Sequence, residues 1–274
     1  MRPTRLIGTV LGTLALAAVP ALATPAASGA VAYPSSMAAA GDSITRAYDV
    51  NWLGFLRDNP AYSWSTGTVA GVSSEYSRLV ALAPGISGHA YNDAKTGAKM
   101  VDLDGQLGTA ASQGAKYVTI LMGANDVCTS SISTMTANSV FASQFQQALN
   151  NFVHKDPGVE ISVSSIPNIY QLWNVLHTNP SAVSTWRTFG ICQSMLSSSN
   201  TEAQRQQVLA QENADNAALE SVCGLTAGCR WDAYAANRVA FTQSDVSTVD
   251  YFHPSPSGQQ KLAAAEWAAG YWGS

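Results

Sequence analysis

A chain of 274 residues, 46% of them apolar and 12% charged, is long enough for one α/β domain with a full core. Its 14 basic and 18 acidic side chains give a formal charge of −4, and the absence of any basic block argues against a nucleic-acid partner. Beyond the N-terminal leader no stretch is apolar enough to cross a bilayer, so stable membrane insertion is not expected.

The chain opens on Met1-Arg2-Pro3-Thr4-Arg5, continues with an apolar run from Leu6 to Val19, and reaches Ala21-Leu22-Ala23. A basic start, a short apolar middle and an A-x-A site are the three parts of an export signal. Residues 1–23 are therefore read as a signal peptide cleaved after Ala23, 24–34 as a flexible leader, and 35–274 as the folded domain. An uncleaved membrane anchor is the competing reading. The expected location is extracellular.

Met37-Ala38-Ala39-Ala40 reads as a buried first strand, and a weaker strand is expected near His89-Ala90-Tyr91. Tyr117 to Met122 is an apolar, β-rich run ending at Gly123, which predicts a central strand. From Ser139 to Phe152, the residues Phe141, Phe145, Leu149 and Phe152 recur at helical spacing and form one apolar face. Val159 to Ile166 alternates and stops at Pro167, a further strand. Thr201 and Gln204 stand at capping-box spacing and open a helix running to about Ser221. The last helix starts near Ser255-Pro256 and carries Leu262, Trp267 and Tyr271. Strands alternating with helices predict an α/β protein of three layers, with a parallel sheet covered on both faces.

Four cysteines remain: Cys128, Cys192, Cys223 and Cys229. In an exported chain an even count suggests two disulfides, and three pairings are possible. Cys223–Cys229 is favoured as a short local loop, which leaves Cys128–Cys192. Reduced thiols are an alternative. A zinc site is disfavoured, because there is no C-x-x-C pair and no histidine at ligand spacing.

The chemistry-bearing residues come in four fragments. Gly41-Asp42-Ser43-Ile44 follows the first strand, and Gly97 closes Asn92-Asp93-Ala94-Lys95-Thr96-Gly97 after the weak second strand. Gly123-Ala124-Asn125-Asp126 follows the central strand, and Asp250-Tyr251-Phe252-His253 precedes the last helix. In an open parallel sheet, residues that follow strands share the carboxyl edge, where ligands bind. Ser43, Gly97 and Asn125 are therefore expected on one edge. Serine needs an adjacent base to act as a nucleophile, and His253 is the candidate. Asp250, three residues earlier, can orient that base. Each fragment also has an ordinary use as a turn, a cap or a packed loop. The G-x-S-x-G elbow, H-E-x-x-H and phosphate loops are all missing, so neither a metal nor a cofactor is expected.

Taken in order, the four fragments resemble the blocks of the SGNH (GDSL-type) hydrolases, a family named for its Ser, Gly, Asn and His. The resemblance spans Ala38 to the C-terminus. It implies a flavodoxin-like fold with five parallel strands and a His253 brought back to Ser43. It also implies an oxyanion hole made by the N–H of Ser43, the N–H of Gly97 and the side-chain amide of Asn125. Gly-Ala-Asn-Asp-Val-Cys and Asp-x-Phe-His-Pro-Ser look most like the phospholipase-B-like lipolytic branch, which implies an ester substrate. The chain is expected to act as a monomer.

Tyr170, Leu172 and Trp173 leave the fourth strand on the same edge, and with Trp186 they are candidates for an acyl-chain wall; core filling is the competing use. Lys95 is unusual within its block. Lys95 and Arg46 would either favour anionic substrates or sit in solvent. The closest alternative function is a carbohydrate acetyl esterase. A non-catalytic binding domain on the same fold is a further one.

Overall fold

The computed structural model describes residues 1, 3–4 and 32–273. The rest of the signal-peptide segment, and the leader up to residue 31, lie outside the described residues. Pro34 is buried, and the Tyr33 ring packs 6.1 Å from that of Trp272.

Five strands form one parallel sheet: β1 (Met37–Gly41), β2 (Ala90–Asn92), β3 (Tyr117–Leu121), β4 (Glu160–Val163) and β5 (Cys229–Trp231). Their spatial order is β2-β1-β3-β4-β5, so the chain reverses direction across the sheet at β1. Nine α-helices are present among the described residues. They are α1 (Glu75–Leu82), α2 (Leu103–Ser112), α3 (Ala124–Val127), α4 (Asn138–Lys155), α5 (Ile169–Leu176), α6 (Pro180–Phe189), α7 (Gln193–Leu196), α8 (Glu202–Gly224) and α9 (Pro256–Ala269).

The two-residue period of the strands divides the core. Ala38, Ala40, Val118 and Ile120 join one cluster with Leu107 of α2, Phe145 of α4 and Leu219 of α8. Met37 and Tyr117 point the other way and pack with Leu79 of α1 and Trp267 of α9. Helices therefore cover both faces, giving three layers in the flavodoxin-like order expected.

The apolar stripe expected on α4 is entirely buried, and the Thr201–Gln204 capping box opens α8. Two boundaries differ from the sequence reading. The strand expected over 159–166 stops at Val163, because the N–H groups of Ser165 and Ile166 turn to the side chains of Asp232 and Asn216 (2.9 and 2.8 Å). The last helix ends at Ala269, before Tyr271, whose hydroxyl donates instead to the Gly228 carbonyl (2.6 Å), with that of Ile161 at 3.1 Å. Cys128 is bonded to Cys192 and Cys223 to Cys229.

Candidate active site

β1 delivers Ser43 through a turn that three buried or half-buried amides hold in place. Gln106 of α2 brackets Gly41, accepting from its N–H (2.7 Å) and donating to its carbonyl (3.0 Å). Gln259 of α9 donates to the Ile44 carbonyl (2.8 Å), and Asn92 donates to that of Thr45 (3.1 Å). Asp42 is fully buried and accepts from the Ile44 N–H (2.9 Å), closing the turn around Ser43. Burial raises its carboxyl to a pKa of about 6. Gly41 has a specific reason to be glycine: a Cβ there would meet Thr45 Oγ1 at 2.5 Å and the Leu121 carbonyl at 2.6 Å.

His253 returns from the other end of the chain, and its Nε2 lies 2.7 Å from the Ser43 hydroxyl. Its Nδ1 bonds the Asp250 carboxylate. The other Asp250 oxygen accepts from the N–H groups of Phe252 (2.9 Å) and His253 (3.0 Å), folding this segment into a tight turn. The imidazole is also wedged edge-on between Tyr48 and Phe252, with ring centroids at 5.3 and 5.0 Å. Burial alone would lower the His253 pKa, but the charge and hydrogen bond of Asp250 outweigh it and hold the pKa above its usual value. Burial pushes the Asp250 pKa up, yet His253 and the two N–H donors leave it lowered.

Three residues with donors to offer line the same cleft. Gly97, at φ +81°, and Asn125 line one cleft with Ser43 and His253. The N–H groups of Ser43 and Gly97 make no hydrogen bond to any described residue. Asn125 spends one amide hydrogen on the Ala98 carbonyl (2.9 Å), which leaves the other free. Unpaired donors gathered beside a hydroxyl that a histidine contacts are able to receive an oxygen that gains negative charge.

The cleft has a volume of about 340 Å³. Its apolar wall is Phe55, Leu56, Phe189, Ile191, Val249 and Phe252, and the Cys128–Cys192 disulfide also lines it. Tyr170, Leu172, Trp173 and Trp186, expected as candidates for an acyl-chain wall, do not line this cleft. The segment turns into α5, where Asn168 caps the helix (Gln171 N–H to Asn168 Oδ1, 2.8 Å). Tyr170 then bonds Glu202 (2.6 Å), and Trp173 stacks under the Arg205 guanidinium (3.6 Å). Leu172 lines a separate, smaller apolar pocket that shares Phe252 with the cleft. Trp186 is fully buried and donates its indole N–H to the Tyr251 carbonyl (3.0 Å), so it braces the turn that carries Asp250 and His253.

Arg46 does not serve the cleft either. Asp58 (2.9 Å) and the Asn92 carbonyl (3.1 Å) hold its guanidinium. Lys95 is exposed and outside the cleft lining. Phe55, Leu56 and Ile191 escaped the sequence reading because they lie in segments without a periodic pattern, and Phe189 because it ends a helix, α6, that the sequence reading did not assign. The odd exposed-looking cluster Trp52-Leu53-Gly54-Phe55-Leu56 was the signal available.

A parallel α/β sheet with a serine, a glycine, an asparagine and a histidine gathered at one edge defines the SGNH class of hydrolase. The chain belongs to the GDSL-like lipase/acylhydrolase family, whose model matches residues 37–266. It is an ester hydrolase. Its fold is similar to that of TesA, with a TM-score of 0.53 and 15% identity over 85% of this chain and 97% of that one. An extracellular lipase from Streptomyces rimosus aligns over 82% of this chain and 95% of its own length, at 15% identity and a TM-score of 0.46. No curated protein matches the sequence.

Proposed function

We propose that the chain is an exported, monomeric serine hydrolase that cleaves carboxylic esters of lipid type through an acyl-enzyme. Residues 1–23 would direct export, 24–34 would link, and 35–274 would carry the chemistry. The observation that supports this most is the relay from Asp250 through His253 to the Ser43 hydroxyl, with Nε2 at 2.7 Å.

Ser43 Oγ attacks the ester carbonyl while its proton passes to His253 Nε2. Asp250 holds the Nδ1–H tautomer and stabilises the imidazolium. The carbonyl oxygen, now negative, accepts from Ser43 N–H, Gly97 N–H and the second Asn125 amide hydrogen. His253 then protonates the leaving alkoxide, and the C–O bond breaks. Water attacks the acyl group, giving a proton to His253, which passes it to Ser43 Oγ as the acyl C–O bond breaks, releasing the acid and restoring the serine.

The apolar wall of Phe55, Leu56, Phe189 and Ile191 favours an acyl chain over the sugar ring of a carbohydrate acetyl ester. The test is hydrolysis of p-nitrophenyl esters from acetate to palmitate. Activity should rise toward longer chains and disappear in Ser43→Ala while the protein stays folded. Activity confined to acetate would transfer the assignment to a carbohydrate esterase. Turnover that survives in Ser43→Ala would remove the serine mechanism, and no turnover on any ester would leave a binding domain.

A further inference from the structure

Five of the eleven exposed large hydrophobic side chains among the described residues gather beside the cleft: Trp52, Leu53, Phe55 and Leu56 on one segment, and Phe189 at the end of α6. Phe55, Leu56 and Phe189 are exposed to solvent and also line the cleft that holds Ser43. Leu53 is 90% exposed and lies outside that lining.

This segment is built to keep those side chains outward. The Asn51 side chain accepts from the N–H groups of Leu53 (3.0 Å) and Gly54 (3.2 Å). Leu56 sits at φ +53°, a conformation that costs a leucine about 1–2 kcal/mol, with its N–H bonded to the buried Asp49 carboxylate. The Trp52 ring stacks on Phe55 at 5.7 Å, and its indole N–H donates to Thr248 Oγ1 (3.1 Å). A strained backbone and several side-chain bonds hold apolar groups in water, where burial would be favoured. Something must cover them in use.

We propose that this patch seats the protein on an uncharged or zwitterionic lipid surface, with the cleft mouth facing the lipid. This rests on the lipid-ester reading of the site. The position of the patch decides between occupants. Three of its side chains, Phe55, Leu56 and Phe189, are also walls of the cleft mouth, so a protein partner would plug the entrance, whereas a lipid surface would supply substrate through it. The chain carries a net charge of −4, which disfavours an anionic surface and leaves apolar insertion as the driving force.

The test uses the Ser43→Ala protein, so that binding is read without turnover, floated with vesicles of dioleoylphosphatidylcholine. Leu53→Asp is compared with Leu225→Asp. Leu225 is also highly exposed, but it follows α8 at the opposite edge of the sheet. The parent and Leu225→Asp should float with the vesicles, and Leu53→Asp should need about tenfold more lipid. In the active protein, Leu53→Asp should leave p-nitrophenyl acetate hydrolysis within about twofold and slow hydrolysis of p-nitrophenyl palmitate held in the same vesicles about tenfold. The proposal is overturned if the parent does not float, or if Leu53→Asp floats as well as the parent. It is also overturned if the parent is a dimer that Leu53→Asp dissociates, which would make the patch a contact between copies. Because flotation needs no catalysis, failure of the surface and failure of the esterase reading give different results.

Discussion

The cleft has two walls built on opposite terms. The polar wall of Ser43, Asn125, Asp250 and His253 is anchored in the core: Ser43, Asp250 and His253 are each less than a tenth exposed, and Gln106, Gln259, Asn92 and Trp186 brace the turns that carry them. The apolar wall of Phe55, Leu56 and Phe189 is half in solvent and sits on an irregular segment and on the last residue of α6. Proton transfer needs atoms held to a few tenths of an ångström, which only a packed interior provides. Contact with an acyl chain needs area and access, which an interior denies. Changes to the polar wall should therefore slow every ester alike, and changes to the apolar wall should scale with the length of the acyl chain.

The largest effect should come from Asp250→Asn. It should lower kcat about 10⁴-fold on acetate and palmitate esters alike, through loss of the correct tautomer. The pH profile adds an independent reading. Asp250 is what raises the His253 pKa, and only the neutral ring is a base. Wild-type activity should therefore rise with pH through an apparent pKa above 6.5, and the residual activity of Asp250→Asn should rise at lower pH. An unshifted acid limb would detach Asp250 from the histidine.

Next in size is Asn125→Ala. It should lower kcat about 10²–10³-fold with little change in KM at any chain length, since the lost hydrogen bond is one that strengthens only as the oxygen gains charge. A change in KM alone would make Asn125 a binding residue.

The Cys128–Cys192 disulfide touches both walls, because it ties the Asn125 helix to the segment carrying Phe189 and Ile191. Replacing both cysteines by serine should lower stability by about 2–5 kcal/mol, read as a fall in melting temperature. In the protein that remains folded, KM should rise more for palmitate than for acetate. Equal changes for both esters would mean that the two walls are not separable.

Much of this was legible in the chain itself. The hydrophobic period of α4, the capping box of α8 and the three apolar strands follow from local rules of burial and capping, whereas the four blocks were legible through their resemblance to a known family. β5 was not legible: it has three residues, none of them buried, and it is a strand only because β4 offers it an edge. That Tyr170 and Trp173 lie outside this cleft lining was not legible, because aromatic composition cannot say which way a segment turns, and Asn168 caps a helix there. The sequence by itself determined the residue types on offer and that Ser43, Gly97 and Asn125 each follow a strand, since both are local properties; the roles expected of them and of His253 came from the resemblance. Only the tertiary structure decided that Ser43 and His253, 210 residues apart, meet at 2.7 Å, and which apolar side chains face the cleft. Those are contacts between distant segments, set by how the helices pack across the sheet, and no local pattern encodes them.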